Sequence, residues 1–140
     1  MQKDSLNIIF DKYTVSVSVE AVKKLIMKEL RRLSKETGYS LNSLKIEFYF
    51  KENDGTLAYF SYLPDMAEGF FFNLAQFDGR SANQIIDVVR HEFAHYVVFM
   101  RKIGNPKNAH GTAWKRVCTE LGAKPNTYAT NSKTKHFSNM

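Results

Sequence analysis

His91-Glu92-Phe93-Ala94-His95 is the stretch of this 140-residue chain whose residue types and spacing could do chemistry. Residues four apart on a helix lie one above the other on the same face. Two imidazoles so placed can hold one Zn²⁺, at about 2.0–2.1 Å each. Glu92 is turned about 100° from His91 around the helix, so it can flank such an ion without ligating it and accept a proton from water activated there. On a helix, H-E-x-x-H is the pattern of zinc-dependent peptide hydrolysis. The competing reading is a surface helix with two histidines of no special role. The hydrolytic reading needs a third ligand, a wall behind the helix and a surface for substrate.

The helix that must carry the motif is delimited by its own ends. Ser81 is a good N-cap, and Gln84 three residues later completes a capping box. Gly104, followed by Asn105-Pro106, predicts the stop. Ile85, Ile86, Val89, Phe93, Tyr96, Val97 and Met100 fall on one broad arc that should pack on a core. His91 and His95 fall nearly opposite, beside Gln84 and Lys102, and should look into a cleft. Val88, Val98 and Phe99 flank them and would keep that cleft dry.

Zinc in a hydrolase takes three protein ligands and keeps one position open. An extended H-E-x-x-H-x-x-G-x-x-H pattern needs Gly at 98 and His at 101, where this chain has Val98 and Arg101, so that class is excluded. Downstream, His110 is the favoured third ligand, because Gly111 after it lets the backbone come close to the first helix. Trp114, one turn into the next helix, could clamp the two helices together. Glu120 and His136 remain the alternatives. Glu92 would act as general base and then return the proton to the leaving amine. Tyr128 and His136 are the candidate stabilisers of the oxyanion. A peptide is held most simply by adding a strand to an exposed sheet edge, and Gly69–Gln76 is the expected edge.

The remaining elements form an α+β pattern. Val19, Val22, Leu25, Ile26, Met27, Leu30 and Leu33 recur at helical spacing from Ser18, and Gly38 closes that helix. Leu44 to Lys51 alternates as a strand, Asn53-Asp54-Gly55 signals a turn, and Thr56–Leu63 and Gly69–Gln76 read as two further strands. The expectation is a mainly antiparallel three-stranded meander with helices on one face. Residues 6–15 are apolar enough for a strand or for irregular packing. Trp114, Val117, Cys118 and Leu121 share a face of the last helix, which Gly122 ends. Residues 1–122 are expected to form one domain and residues 123–140 a polar basic tail.

Apolar residues make up 44% of the chain and charged ones 24%, the balance of a globular protein, with no run near the ~18 apolar residues of a membrane span. One cysteine allows no internal disulfide. Met1 to Ser5 lacks the basic-then-apolar order of a signal peptide. These features predict a cytoplasmic protein without a membrane partner, or a nucleoid or nuclear one if it associates with DNA. The net charge is +6. Lys23, Lys24, Lys28, Arg31, Arg32 and Lys35 form a basic ridge on the first helix, which is either a solvated face or a contact for phosphates.

The pair His91-Glu92-Phe93-Ala94-His95 and His110-Gly111-x-x-Trp114 resembles the SprT-like metallopeptidase domain, shared with the Spartan proteases. The order of elements over about residues 15–122 is similar too. The resemblance implies a zincin-like fold, zinc held by His91, His95 and His110, and Glu92 as catalytic acid and base. It also implies a protein or peptide substrate and proteolysis linked to DNA, including attack on proteins crosslinked to it. Longer members add a four-cysteine zinc ribbon, and this chain has no cysteine after Cys118. Weak, non-specific DNA binding is therefore the expectation. A peptidase aimed at a single regulatory protein and a non-catalytic zinc module that binds nucleic acid are the competing functions. A structural zinc module has no need of Glu92.

Overall fold

The computed structural model describes residues 4–125. Among them it is α+β, with three α-helices and two small sheets. Strands β1 (Ser5–Phe10) and β2 (Tyr13–Ser18) form an antiparallel hairpin turned by Asp11 at φ 57°. Leu6 and Ile8 are the fully buried residues of this hairpin, each 1% exposed, and Val17 packs partly buried against the same core. Its β1 edge docks on the turn before the central helix: Gly79 N–H donates to Asn7 O at 2.7 Å and Ile9 N–H to Arg80 O at 2.9 Å.

Helix α1 (Val19–Thr37) begins where Ser18 accepts from Ala21 N–H and ends at Gly38 in the left-handed region, as the sequence predicts. Val19, Val22, Ile26, Leu30 and Leu33 are its buried stripe. On the opposite side Lys24, Lys28, Arg31 and Lys35 are exposed. Lys23 pairs with Glu20, and Arg32 with Glu29 and Glu36.

Strands β3 (Lys45–Tyr49), β4 (Ala58–Leu63) and β5 (Met66–Asn73) form the second sheet in the order β3-β5-β4. The mainly antiparallel meander expected from the sequence is therefore corrected. β3 does not pair with β4 across the Asn53-Asp54-Gly55 turn but runs parallel to β5. The eight residues between β3 and β4 are too many for a tight hairpin and carry the chain across to the far side of β5. Gly69 makes the close parallel pair feasible. A Cβ there would lie 2.1 Å from the Lys45 carbonyl oxygen. Asn73, fully buried, ties the ends together by exchanging two side-chain hydrogen bonds of 2.9 Å with the Lys51 backbone and donating its N–H to Leu57 O. The expected edge, Gly69–Gln76, is corrected as well. Its strand is the central one, and Leu74–Phe77 turn into a short 3-10 helix. The outer strands are β3 and β4.

Helix α2 (Ala82–Arg101) touches α1, β1, β4, β5 and helix α3 (Thr112–Glu120). It ends three residues before Gly104, at Lys102 in the left-handed region at φ 58°. Among the described residues no helix is long and apolar enough to cross a membrane. The α1–α2 contact is fixed by Glu29, which is 7% exposed and accepts from Arg32 Nη2 at 2.6 Å and from Arg90 Nε at 2.7 Å. Burial pushes the Glu29 carboxyl up, and the hydrogen bonds and charges of Arg32 and Arg90 outweigh it, leaving it below its ordinary value.

A lowered folded value means that Glu29 adds stability above the unfolded glutamate range and loses it as pH falls through the folded value. Glu29→Gln should lose on the order of 1–3 kcal/mol at pH 7, the partly exposed arginines being screened by solvent. Urea unfolding of parent and variant checks this, and the gap between them should narrow below about pH 4. A gap that does not depend on pH would mean that Glu29 acts through packing alone.

Candidate active site

Helix α2 starts with the predicted capping box. Ser81 Oγ accepts from Gln84 N–H and Gln84 Oε1 accepts from Ser81 N–H, both at 3.1 Å. From His91 to Val98 every residue is buried. The face is more enclosed than an open cleft, since His91, Glu92 and His95 are only 2–3% exposed, although His95 borders a cavity. Other elements close over the face that carries them.

Trp114 of α3 lies at the centre of that closure. Its Nε1–H donates to His91 O at 3.1 Å. Its ring centroid is 5.3 Å from His91, 5.4 Å from His95, with which it stacks, and 4.7 Å from His110, which it meets edge-on. His95 and His110 are 5.0 Å apart, centroid to centroid. The three histidines singled out in the sequence therefore gather round one indole. Gly111, the N-cap of α3, would bring a Cβ within 3.2 Å of Asn108 O, so a small residue follows His110 for a steric reason.

His91 has a second set of partners. Its Nε2–H donates to Lys124 O at 2.7 Å, and the same nitrogen is 3.5 Å from Asp87 Oδ2. Asp87 Oδ1 in turn accepts from Lys124 N–H at 3.1 Å. Arg90, one turn along, donates to Gly122 O at 2.8 Å while its Nε holds Glu29. Gly122 turns there at φ 80°, a conformation that glycine adopts without cost. Residues 122–124 are thus strapped to α2 at two levels. Asp87 was legible as the residue four before His91 on the same face. Nothing in the local sequence marks Lys124, whose backbone rather than side chain does the work.

The electrostatics follow from burial. It pulls the His91 imidazole below its ordinary value despite the Lys124 carbonyl and Asp87, and pulls His110 down with help from the positive charge of neighbouring groups. Glu92 is pushed up to about 8 by burial, opposed by a hydrogen bond from Phe60 N–H. The sheet register explains that bond. Asn73 N–H donates to Leu57 O, so in the antiparallel β4–β5 ladder Phe60 is at a non-hydrogen-bonded position and its N–H points away from β5. β4, not β5, is the outer strand beside the motif helix.

The donor chemistry fits a zinc ion: three imidazoles, two held toward the neutral form, with the outer N–H of His91 on a carbonyl as ligating histidines commonly have it. The convergence is incomplete. Among the described residues no three His, Cys, Asp or Glu side chains stand so that they could hold a metal ion. The alternative third ligand, Glu120, is half exposed and paired with Arg101 at 2.9 Å. His136 and Tyr128 lie outside the described residues.

Asp87→Ala should free the Lys124 amide and speed its hydrogen exchange, with a loss of about 1 kcal/mol in stability. Asp87→Asn keeps an acceptor and should retain most of the protection. Unchanged exchange at Lys124 in the alanine variant would mean that Arg90 alone holds the turn.

No curated protein and no solved structure matches the chain. The profile of one family does, over residues 31–136, a span that takes in α2 with its H-E-x-x-H motif, His110 and Trp114. That span is well over half of the chain, and the chain belongs to the SprT-like family.

Proposed function

We propose that this chain is a zinc-dependent endopeptidase in which His91, His95 and His110 hold the metal and Glu92 moves the proton. The observation that carries the reading is the gathering of the three imidazoles round Trp114 beside a buried glutamate, in a chain of the SprT-like family. Bound zinc would supply a Lewis acid that polarises the peptide carbonyl and makes water a nucleophile near neutral pH. The protein's own groups do the rest. The Lys124 carbonyl fixes the orientation of the His91 ring through its Nε2–H, and Trp114 holds the His91 backbone carbonyl. Glu92, as the carboxylate, takes a proton from the attacking water and returns it to the leaving amine. The peptide lies along β4, the outer strand that reaches Glu92 through Phe60 N–H.

The test joins metal content to cleavage of an unstructured basic protein. The parent and Glu120→Ala should each carry one zinc, and His110→Ala should lose most of it. Glu92→Gln should fold, keep zinc and lose about 10²–10⁴-fold in cleavage rate. Zinc lost from the Glu120 variant but kept in the His110 variant would transfer the third ligand to Glu120. Full cleavage by zinc-loaded Glu92→Gln would remove Glu92 from the reaction.

DNA is the proposed second partner. Lys24, Lys28, Arg31 and Lys35 are exposed on one ridge of α1, in a chain of net charge +6. Binding without sequence preference at ~10⁻⁴–10⁻⁶ M is expected, weakening with salt by a log–log slope of about −0.7 per contact on single strands. Reversing Lys24, Lys28 and Arg31 to Glu should flatten that slope and leave peptide hydrolysis in free solution unchanged. A salt titration of single-stranded DNA binding decides it, and equal slopes in both proteins would make the ridge a solvated face.

A further inference from the structure

A cavity of about 600 Å³ opens directly beside His95. Its walls come from three places: Tyr62 at the end of β4, Val98, Phe99 and Met100 on the last turns of α2, and Pro106 and Trp114 beyond it. The lining is mostly apolar, with Asp65 and Lys102 contributing one charge of each sign. Opposite single charges favour neither an acidic nor a basic guest. The volume lies in the range of sites that enclose a small ligand. Large apolar residues left exposed cluster in sequence around the same opening. Leu63 and Met66 flank the turn that contributes Pro64 and Asp65, and Ile103 follows Lys102.

Tyr62 links this cavity to the strand proposed to bind the peptide. A peptide paired with β4 would send alternate side chains to opposite faces, and those passing β4's C-terminal end meet the cavity mouth, with His95 in its wall. Methionine and the rings of Phe99 and Trp114 offer an adaptable surface for large apolar groups. We infer that this cavity is a specificity subsite that seats a bulky, uncharged apolar side chain (phenylalanine, leucine or methionine) of the substrate, next to the bond that is cut. The inference rests on the peptidase reading for its position relative to that bond, but the pocket's preference for apolar side chains can be measured without hydrolysis.

Trp114 is the single tryptophan of the chain and lines the cavity, so its fluorescence reports occupancy. The experiment titrates the protein with end-blocked tripeptides that differ only at the central residue, Phe, Leu, Ser or Asp. Saturable changes are expected for Phe and Leu, with affinities at least about tenfold above those for Ser and Asp. Ala113→Phe, which fills the cavity from α3, should abolish them. Ala109→Phe, on the loop before α3, does the same from another wall should the first variant fail to fold. Equal affinity for all four peptides, no saturable change, or undiminished binding by a folded filled variant would overturn the subsite. Tight binding of the Phe peptide with no cleavage of it by zinc-loaded parent would overturn the hydrolase reading and leave the apolar subsite standing.

Discussion

Helix α2 is buried along most of its length while carrying groups that are costly to bury, and the rest of the structure answers to that conflict. Asp87, His91, Glu92 and His95 are all under a tenth exposed. Each such group costs free energy unless a partner replaces the water it has lost. The partners come from elements far apart in the chain: Trp114 and the Lys124 backbone from one side, Phe60 N–H from the outer strand, and Arg90 bridging to Glu29 of α1. Remove these and α2 is an apolar helix with an unaffordable polar stripe.

That dependence also accounts for what could and could not be read in the sequence. The caps at Ser18, Gly38 and Ser81 and the stripe of α1 involve neighbours one turn away, so residue order states them directly. The motif pair that carries the resemblance is similarly compact: two histidines a turn apart, then a histidine and a tryptophan four residues apart. Sheet partnership is another matter. Alternation in Leu44 to Lys51 says that a strand exists, not which strand it joins. One clue was the unbroken run Phe70-Phe71-Phe72, the mark of a strand apolar on both faces, as interior strands more often are than edges. Gly69 was a second clue, because its missing Cβ is what Lys45 requires. Lys124 could not have been found, for its role belongs to a carbonyl and an amide that every residue has.

Chemically, the arrangement separates duties. On the proposed reading, rings that would meet a metal sit against Trp114, the glutamate that would carry the proton is enclosed beside them, and the outer strand β4 and the cavity past Tyr62 would handle the rest of a substrate. The apolar cavity, with Met100 on its wall, is the adaptable part.

The strap formed by residues 122–124 also sets an order of assembly during translation. Synthesis proceeds from the N-terminus at about 5–20 residues per second. Both sheets, α1 and α2 leave the ribosome before the residues that close over His91. For an interval of seconds the nascent chain holds its motif helix with one flank still wet. Only when Trp114, and then Gly122 and Lys124, emerge can that flank be sealed. The protein therefore completes its site only after both sheets, α1 and α2 are out, and a chain stalled shortly after α2 would present the motif without the enclosure that gives it meaning.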